Sequence, residues 1–279
     1  MGGIDLHVHT TASDGAFTPS QVVEGALAKE LAHLAITDHD TTAGIDEALE
    51  AARGTALEVI PGVELSSELD SEEIHILGYY LNHHDEDLHN KLGMICQARY
   101  RRARQMVEKL AGFGVSLHWE RVEEIAGGGS AFGRPHIAQA LLEKGYVASI
   151  GEAFERYIGR ERPAYVARYK LTPVEAVQMI TAAKGLPVLA HPRGQEHVLS
   201  GLVEVGLVGL EAYYPSYTIG DSEALLRLAK EYNLIPTGGT DFHGYEGFGT
   251  VAVGEVWVPL ESVRRLRALA MNRVGLARH

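Results

Sequence analysis

Short apolar runs of β type alternate with helical runs along most of the chain. Ile4–Thr10 reads as a strand, and Thr18-Pro19-Ser20 then leads into Val22, Val23, Ala26 and Leu27 at helical spacing. A Thr-Pro pair ahead of such a run is an N-cap followed by proline at the first helical position. Leu34–Thr37, Glu58–Glu64 and Ile74–Tyr80 read as further strands, with a short helix over about 44–53 between the first two. The pattern then changes. About Asp85 to Gly112 is one long helical stretch, and short helices around a Gly127-Gly128-Gly129 loop follow to about Tyr165. Alternation resumes at Thr172-Pro173 with a helix to Lys184, strands at Leu186–Ala190 and Val208–Ala212, a helix over about 221–232, a strand at Leu234–Thr237 and a last helix over about 260–271. About seven β/α units with apolar, parallel-type strands predict an α/β fold of barrel type. A doubly wound open sheet is the alternative, but no Gly-x-Gly-x-x-Gly follows the first strand. Residues 90–165 read as a helical insertion, which leaves 1–89 and 166–279 to the barrel.

Composition narrows the class. A chain of 279 residues with 46% hydrophobic content suits one large domain, or one domain with a sizeable insertion. The single cysteine, Cys96, excludes an internal disulfide and a thiolate metal site. Met1-Gly2-Gly3 runs straight into the first strand, and no apolar run approaches the roughly 20 residues of a membrane span. The expectation is a cytoplasmic protein with no membrane partner. A net charge of −12 argues against a long nucleic-acid track. Residues 99–170 nevertheless hold 13 Lys and Arg against 8 acids, a balance of +5 that leaves −17 for the rest. An acidic body with a basic middle segment suits a cation site whose substrate is an anion.

The candidate chemistry lies at strand ends. His7 and His9, two apart on one strand, face the same way. Asp38 and His39, Glu64, His191, and Asp241 with His243 all fall at or just past the end of a predicted strand, and His75 falls within one. In a β/α barrel those ends converge on one rim, where active sites form. His, Asp and Glu without Cys suit Zn, Mn or Fe(II). The candidates outnumber the ligands of one ion, so two or three ions bridged by a carboxylate is the economical reading, a cluster that activates water and clamps phosphoryl oxygens. Asp38 or Asp40 is expected to orient a ligand histidine, with helix capping as the alternative for Asp40. Glu211 and Tyr213 are expected to line the pocket. His33, His83, His84, His89, His118, His197 and His279 lack strand-end placement and are read as non-ligating.

His7-x-His9, Thr37-Asp38-His39, Glu64, His75, His191-Pro192 and Asp241-Phe242-His243 resemble the motifs of the PHP (polymerase and histidinol phosphatase) superfamily. The resemblance implies a distorted (β/α)7 barrel with a trinuclear site. It implies one ion on His7, His9, Glu64 and Asp241, a second sharing Glu64 with His75 and His191, and a third on Asp14, His39 and His243. Many members have histidine where this chain has Asp14; aspartate is a harder ligand, expected either to favour Mn or Mg at that ion or to leave it weakly bound. Gly133-Arg134-Pro135-His136-Ile137-Ala138, Ala153-Phe154-x-x-Tyr157-Ile158-Gly159-Arg160 and Pro163-Ala164-Tyr165-Val166 resemble the TrpH/YciV-like group within it. That group implies nucleotide phosphatase or 5′–3′ exoribonuclease activity on nucleoside 3′,5′-bisphosphates, 5′-monophosphates or short RNA ends. Arg134 offers a planar fork for phosphate oxygens, His136 a further donor and Arg160 a third contact. Arg193 follows His191-Pro192 but is read as outside the contact set, and Arg99–Arg104 reads as a solvated helix face. The expected activity is metal-dependent phosphoester hydrolysis, with His7, His9, Glu64, His191, Asp241 and His243 at its centre. The alternatives are an L-histidinol phosphatase, a non-catalytic PHP module acting with a polymerase, and a metal-binding module without turnover.

Overall fold

The computed structural model describes residues 2–127, 132–167, 171–245 and 252–274. Gly128 and Gly129 of the expected glycine loop, and His279, lie outside the described residues.

Seven strands form one sheet in chain order, from β1 (Gly3–Asp5), β2 (Leu31–Ile36), β3 (Glu58–Leu69) and β4 (Glu72–Tyr79) to β5 (Leu186–Leu189), β6 (Gly209–Tyr213) and β7 (Ile235–Gly238). The two edge strands meet beyond their ends. Leu6 N donates to Gly238 O at 3.3 Å, His9 N donates to Phe242 O at 2.9 Å, and Val8 bridges Phe242 in parallel. The sheet is therefore a barrel. Ile4, Ala35, Ile60, Tyr79, Val188 and Ile235, from six strands, share one core, and Val263 and Leu266 of α10 (Leu260–Val274) pack against it.

The sequence pattern suggests parallel strands throughout, but two of the pairings are antiparallel. β3 pairs in parallel with β2 over Glu58–Pro61 and then switches at Gly62 to an antiparallel ladder with β4. A Cβ on Gly62 would lie 2.7 Å from Ile36 O, so only glycine fits where the strand changes partner. β4 is also antiparallel to β5. The turn between β3 and β4 uses Asp70 and Ser71, both on left-handed backbone, without the Asn-Gly or Asp-Gly pair that announces a hairpin. An antiparallel strand brings its beginning to the rim that its neighbours reach with their ends. His75 therefore stands at the rim although it lies early in β4. β1 is also shorter than expected. It ends at Asp5, and His7 and His9 lie on the extension that closes the barrel.

The helices follow local rules. Thr18 and Thr172 cap α1 (Pro19–Ala28) and α7 (Pro173–Ala182) with reciprocal capping boxes and proline at the first turn. Asp85 caps α3 (Glu86–Gly112), a helix of 27 residues. Leu88, Leu92 and Ile95 in its first half join a core with β3, β4 and α7. Ala103, Met106, Val107 and Leu110 in its second half join a separate core with α4 (Trp119–Ile125), α5 (Arg134–Glu143) and the π-helical turn Phe154–Ile158. Among the described residues no helix is long and apolar enough to cross a membrane.

Barrel closure depends on a buried acid. Asp5 accepts from Thr240 N (2.9 Å), Thr240 Oγ1 (2.7 Å) and Gly254 N (2.8 Å), which ties β1 to the segment after β7. Gly239 packs at the same seam, where a Cβ would meet His7 N at 2.4 Å. We predict that Gly239→Ala lowers unfolding free energy by about 1–3 kcal/mol through overpacking. The control Gly25→Ala in α1, where a Cβ meets nothing within 4 Å, should raise it by about 0.5–1 kcal/mol. Urea denaturation of both proteins checks this, and equal midpoints would refute the role given to the seam.

Candidate metal centre

At the rim one carboxylate gathers the histidines. Glu64 Oε2 lies 3.2 Å from His7 Nε2, 3.2 Å from His9 Nε2 and 3.1 Å from His39 Nδ1. Its other oxygen lies 2.8 Å from His75 Nδ1 and 3.3 Å from His191 Nε2. Asp241 Oδ1 completes a compact group, 3.3 Å from His7 Nε2 and 3.0 Å from His9 Nε2. Asp14 stands on the far side of His9, 3.4 Å from His243 Nε2 and within 4.0 Å of His39 Nε2.

Ligand atoms here converge in three sets: His7, His9, Glu64 and Asp241; His9, Asp14, His39 and His243; and His39, Glu64 and His75. His191 stands beside the third set, its ring 5.1 Å from that of His75. His7 Nε2, both ring nitrogens of His9, His39 Nδ1 and Glu64 Oε2 are buried and have no hydrogen-bond partner. Buried polar atoms are rarely left so, and an ion is one of the few things that would satisfy them. Donors held about 2.0–2.2 Å from one tetrahedral ion sit about 3.3 Å apart. The contacts of the first set match that spacing, so these side chains fit a divalent ion with little movement.

Burial works against charge on these groups, and their neighbours decide the outcome. Burial opposes protonation of His9, yet Asp241 and Glu64 hold its pKa up at about 10. Burial likewise opposes charge on His75, and Glu64 with Glu73 keeps it at about 9. Burial disfavours the ionised forms of Glu64, Asp14 and Asp241, but the facing imidazoles hold all three well below the ordinary carboxylate range. The positive charge that these carboxylates demand resides on imidazolium in the metal-free protein.

Local structure holds the set in place. Asp38 accepts from Thr10 N (2.7 Å), Thr10 Oγ1 (2.7 Å) and Ser13 Oγ (2.6 Å), which secures the loop carrying Asp14. It therefore orients a loop rather than a histidine ring. Asp40 accepts from Ser66 N at 2.9 Å and pairs with Arg99 Nε at 2.7 Å; the cap of α2 (Ile45–Ala51) is Gly44. Glu211 supports two histidines, with Oε1 3.1 Å from His7 Nδ1 and Oε2 accepting from His191 N at 2.8 Å. His191 and Asp241 both occupy left-handed backbone, a conformation that non-glycine residues adopt at some cost.

A cavity of about 470 Å³ opens from the cluster, lined by Asp14, His39, His75, Asp241 and His243 on one part and by Ser66, Arg99, Arg102, Arg134, Phe132, Phe154 and Tyr214 on others. Arg134 lies in it, 3.0 Å from Glu73 and over the Phe154 ring. His136 does not line it. It is buried, and its Nδ1 accepts from Gly133 N at 3.1 Å, closing the first turn of α5. Arg160 also stands apart, half-exposed and 4.0 Å from Glu68. Arg193 pairs with Asp221. Arg99 and Arg102 correct the reading of a solvated face, since their i, i+3 spacing on α3 turns both into the cavity. Tyr213 packs against Trp257 instead, and Tyr214 takes the cavity position, its hydroxyl donating to Asp241 Oδ2 at 2.7 Å. Neither Arg99 nor Tyr214 carries a motif of its own; helical spacing was the available signal for the first, and strand-end position for the second.

A closed, partly antiparallel seven-stranded barrel with His, Asp and Glu clusters on its rim has the architecture of a metal-dependent hydrolase. The chain belongs to the PHP domain family, whose sequence profile matches residues 5–159. A 5′–3′ exoribonuclease of Haemophilus influenzae is 34% identical over 250 residues, spanning 86% of this chain and 89% of that protein. A 3′,5′-nucleoside bisphosphate phosphatase of Chromobacterium violaceum is 32% identical over 251 residues, spanning 87% and 88%. The crystal structure of a Bifidobacterium adolescentis protein, whose proposed class is metal-dependent phosphoesterase, superimposes with a TM-score of 0.88 at 30% identity, covering 98% of each chain.

Two outcomes test this geometry. His9 and His75, with pKa values held up at about 10 and about 9, are protonated at neutral pH without metal and must lose those protons to act as ligands. Divalent ions should therefore release protons on binding at neutral pH, and apparent affinity should rise with pH until about 9–10. Calorimetry in buffers of different ionisation enthalpy measures the release; pH-independent affinity would contradict it. Separately, Glu211→Gln should weaken metal binding by about 10–100-fold with the fold intact, as loss of an orienting carboxylate does elsewhere. Competition against a chromophoric chelator, with circular dichroism as control, reads this.

Proposed function

We propose that this chain removes phosphate from nucleotides, as a nucleoside 3′,5′-bisphosphate or 5′-monophosphate phosphatase, or trims 5′-phosphorylated RNA ends. The observation that carries the reading is a single cavity that joins the metal-type cluster to Arg99, Arg102 and Arg134 and to the rings of Phe132, Phe154 and Tyr214. Clustered arginines suit phosphate oxygens, and aromatic faces suit a base. The names carried by the exoribonuclease and bisphosphate phosphatase relatives support the same substrate class.

In this reading His7, His9, Glu64 and Asp241 hold one ion. Glu64 with His75 and His191 holds a second, with His39 also in reach, and Asp14, His39 and His243 hold a third. Manganese, iron and zinc all accept such nitrogen and oxygen donors. Divalent ions bound here supply Lewis acidity toward phosphoryl oxygens and lower the pKa of water. The protein's own groups do the rest. Arg99, fixed by Asp40 and Ser66, neutralises phosphate charge at the junction of barrel and helices. Arg134 does the same from the first turn of α5, and Glu73 leaves it when phosphate arrives. His7, His9, Glu64, His191, Asp241 and His243 form the catalytic centre. Residues 90–165 serve as a cap that binds substrate and excludes water, with His136 holding the start of α5 and Arg160 at its margin.

The test is phosphate release from adenosine 3′,5′-bisphosphate with Mn²⁺. Turnover is expected, and His243→Ala should bring it close to background. Arg99→Ala should lower kcat/KM by about 10–100-fold, mainly through KM, the effect of removing a charge-assisted contact that is present before the chemical step. Release only from 5′-phosphorylated RNA would select end-trimming. No release from either substrate by metal-loaded protein would overturn the proposal, and L-histidinol phosphate would then be the substrate to try.

A further inference from the structure

We infer a second metal site, separate from the rim cluster, made by Asp46, His83 and His84 and suited to one transition-metal ion. In sequence His83-His84 is only a polar turn. In the fold it meets the first turn of α2. Asp46 Oδ1 lies 3.0 Å from His83 Nε2 and 3.4 Å from His84 Nε2, and one ligand atom from each residue falls within 4.8 Å of the other two. Donors about 2.0–2.2 Å from one tetrahedral ion are about 3.3 Å apart, so the Asp46 oxygen already stands at coordination spacing from both rings.

Adjacent residues seldom aim their rings at one point, and here the backbone makes them do so. Asp85 N donates to Asn82 O at 3.1 Å, and His84 N donates to Asn82 Oδ1 at 3.2 Å. This turn, immediately before the N-cap of α3, brings the two imidazoles to a centroid distance of 4.1 Å with a tilt of 39°. A carboxylate oxygen alone serves the pair only if each ring donates to it. An ion accepts both nitrogens and the oxygen together, leaving its remaining positions to water, since Asp46 and His84 are largely exposed. Two imidazoles and one carboxylate favour Zn²⁺, Ni²⁺ or Cu²⁺ over Mg²⁺ or Ca²⁺, because imidazole suits the former and the later first-row metals bind it more tightly.

The site adjoins a cavity of about 290 Å³ that Thr42, His89 and Leu92 also line. An ion there clamps α2 to the turn that leads into α3, the helix that carries Arg99 to the main cavity. The role is structural, and it does not depend on which phosphate ester the rim cluster hydrolyses.

Zn²⁺ is the probe. Metal-free protein is dialysed to equilibrium against Zn²⁺ and its metal content measured. The His83→Ala/His84→Ala variant should hold one zinc ion per chain fewer than the unaltered protein. Asp46→Asn, a single exposed change that leaves the turn intact, should reproduce most of that loss. Rim variants such as His243→Ala should retain the peripheral ion. Zinc should also raise the melting temperature of His243→Ala, and adding His83→Ala/His84→Ala to it should reduce that rise. Equal zinc content in the unaltered protein and both Asp46 and His83/His84 variants would overturn the inference and leave Asp46 as a hydrogen-bond acceptor only.

Discussion

The architecture of the rim turns on the burial of Glu64. Its side chain is 1% exposed, and five imidazoles surround its two oxygens. An ionised carboxylate removed from water costs several kcal/mol unless opposite charge accompanies it. Imidazolium provides that charge without metal, and a divalent ion provides it more compactly. Either way, the fold must bring His7 and His9 from the first strand's extension, His39 from beyond β2, His75 from β4 and His191 from beyond β5 to the same few ångströms. The reversal of β4 contributes to this gathering. Placed antiparallel beside β3, it sets His75 opposite Ser66, two residues along from Glu64 on the neighbouring strand.

A second buried acid protects the first. Asp5 joins β1 to Thr240 and Gly254, and the residues that close the barrel, Val8 with Phe242, are the immediate neighbours of His7, His9, Asp241 and His243. Closure and site formation are therefore one event in structural terms. Four of the nine candidate rim ligands, His7, His9, Asp241 and His243, come from the first ten residues and from 241–243, so they share a site only when the edge strands have met. Gly239, with no room for a Cβ against His7, shows how little slack that seam has.

Much of this was legible in the sequence, and the gaps have definite causes. Element order and most boundaries follow from apolar periodicity and from Thr-Pro caps. The ligand-type residues were visible because strand ends in a barrel share a rim. Strand direction was not visible, since alternation along β4 is the same whichever way it runs, and its Asp70-Ser71 turn lacks the usual hairpin pair. The sequence reads β1 as longer because Val8 carries the pairing past Asp5, through a bond from Thr37 N and an isolated bridge to Phe242, without a continuous ladder. Side-chain destinations were the least legible. Asp38 serves a loop and Asp40 an arginine, choices made by residues 25 and more positions away. His136 is turned inward by its own helix start, where Gly133 N needs an acceptor and a proline follows Arg134.

Arg99 was hidden for an instructive reason. Read locally, four arginines in six residues look like a solvated stripe. α3, however, belongs to two cores, one with the barrel and one with the short helices, and Arg99 falls between Ile95 of the first and Ala103 of the second. At such a junction a helix face is covered by neither core. It looks instead into the cleft between them, where a long side chain can reach Asp40 and Ser66. Two of the proposed phosphate contacts, Arg99 and Arg102, are thus carried by a 27-residue helix anchored at both ends, not by a loop. Rigid support of this kind fixes a guanidinium before substrate arrives, so less orientational freedom remains to be lost on binding. The same geometry couples recognition to the rim, because Asp40, which holds Arg99, directly follows His39, which faces Glu64.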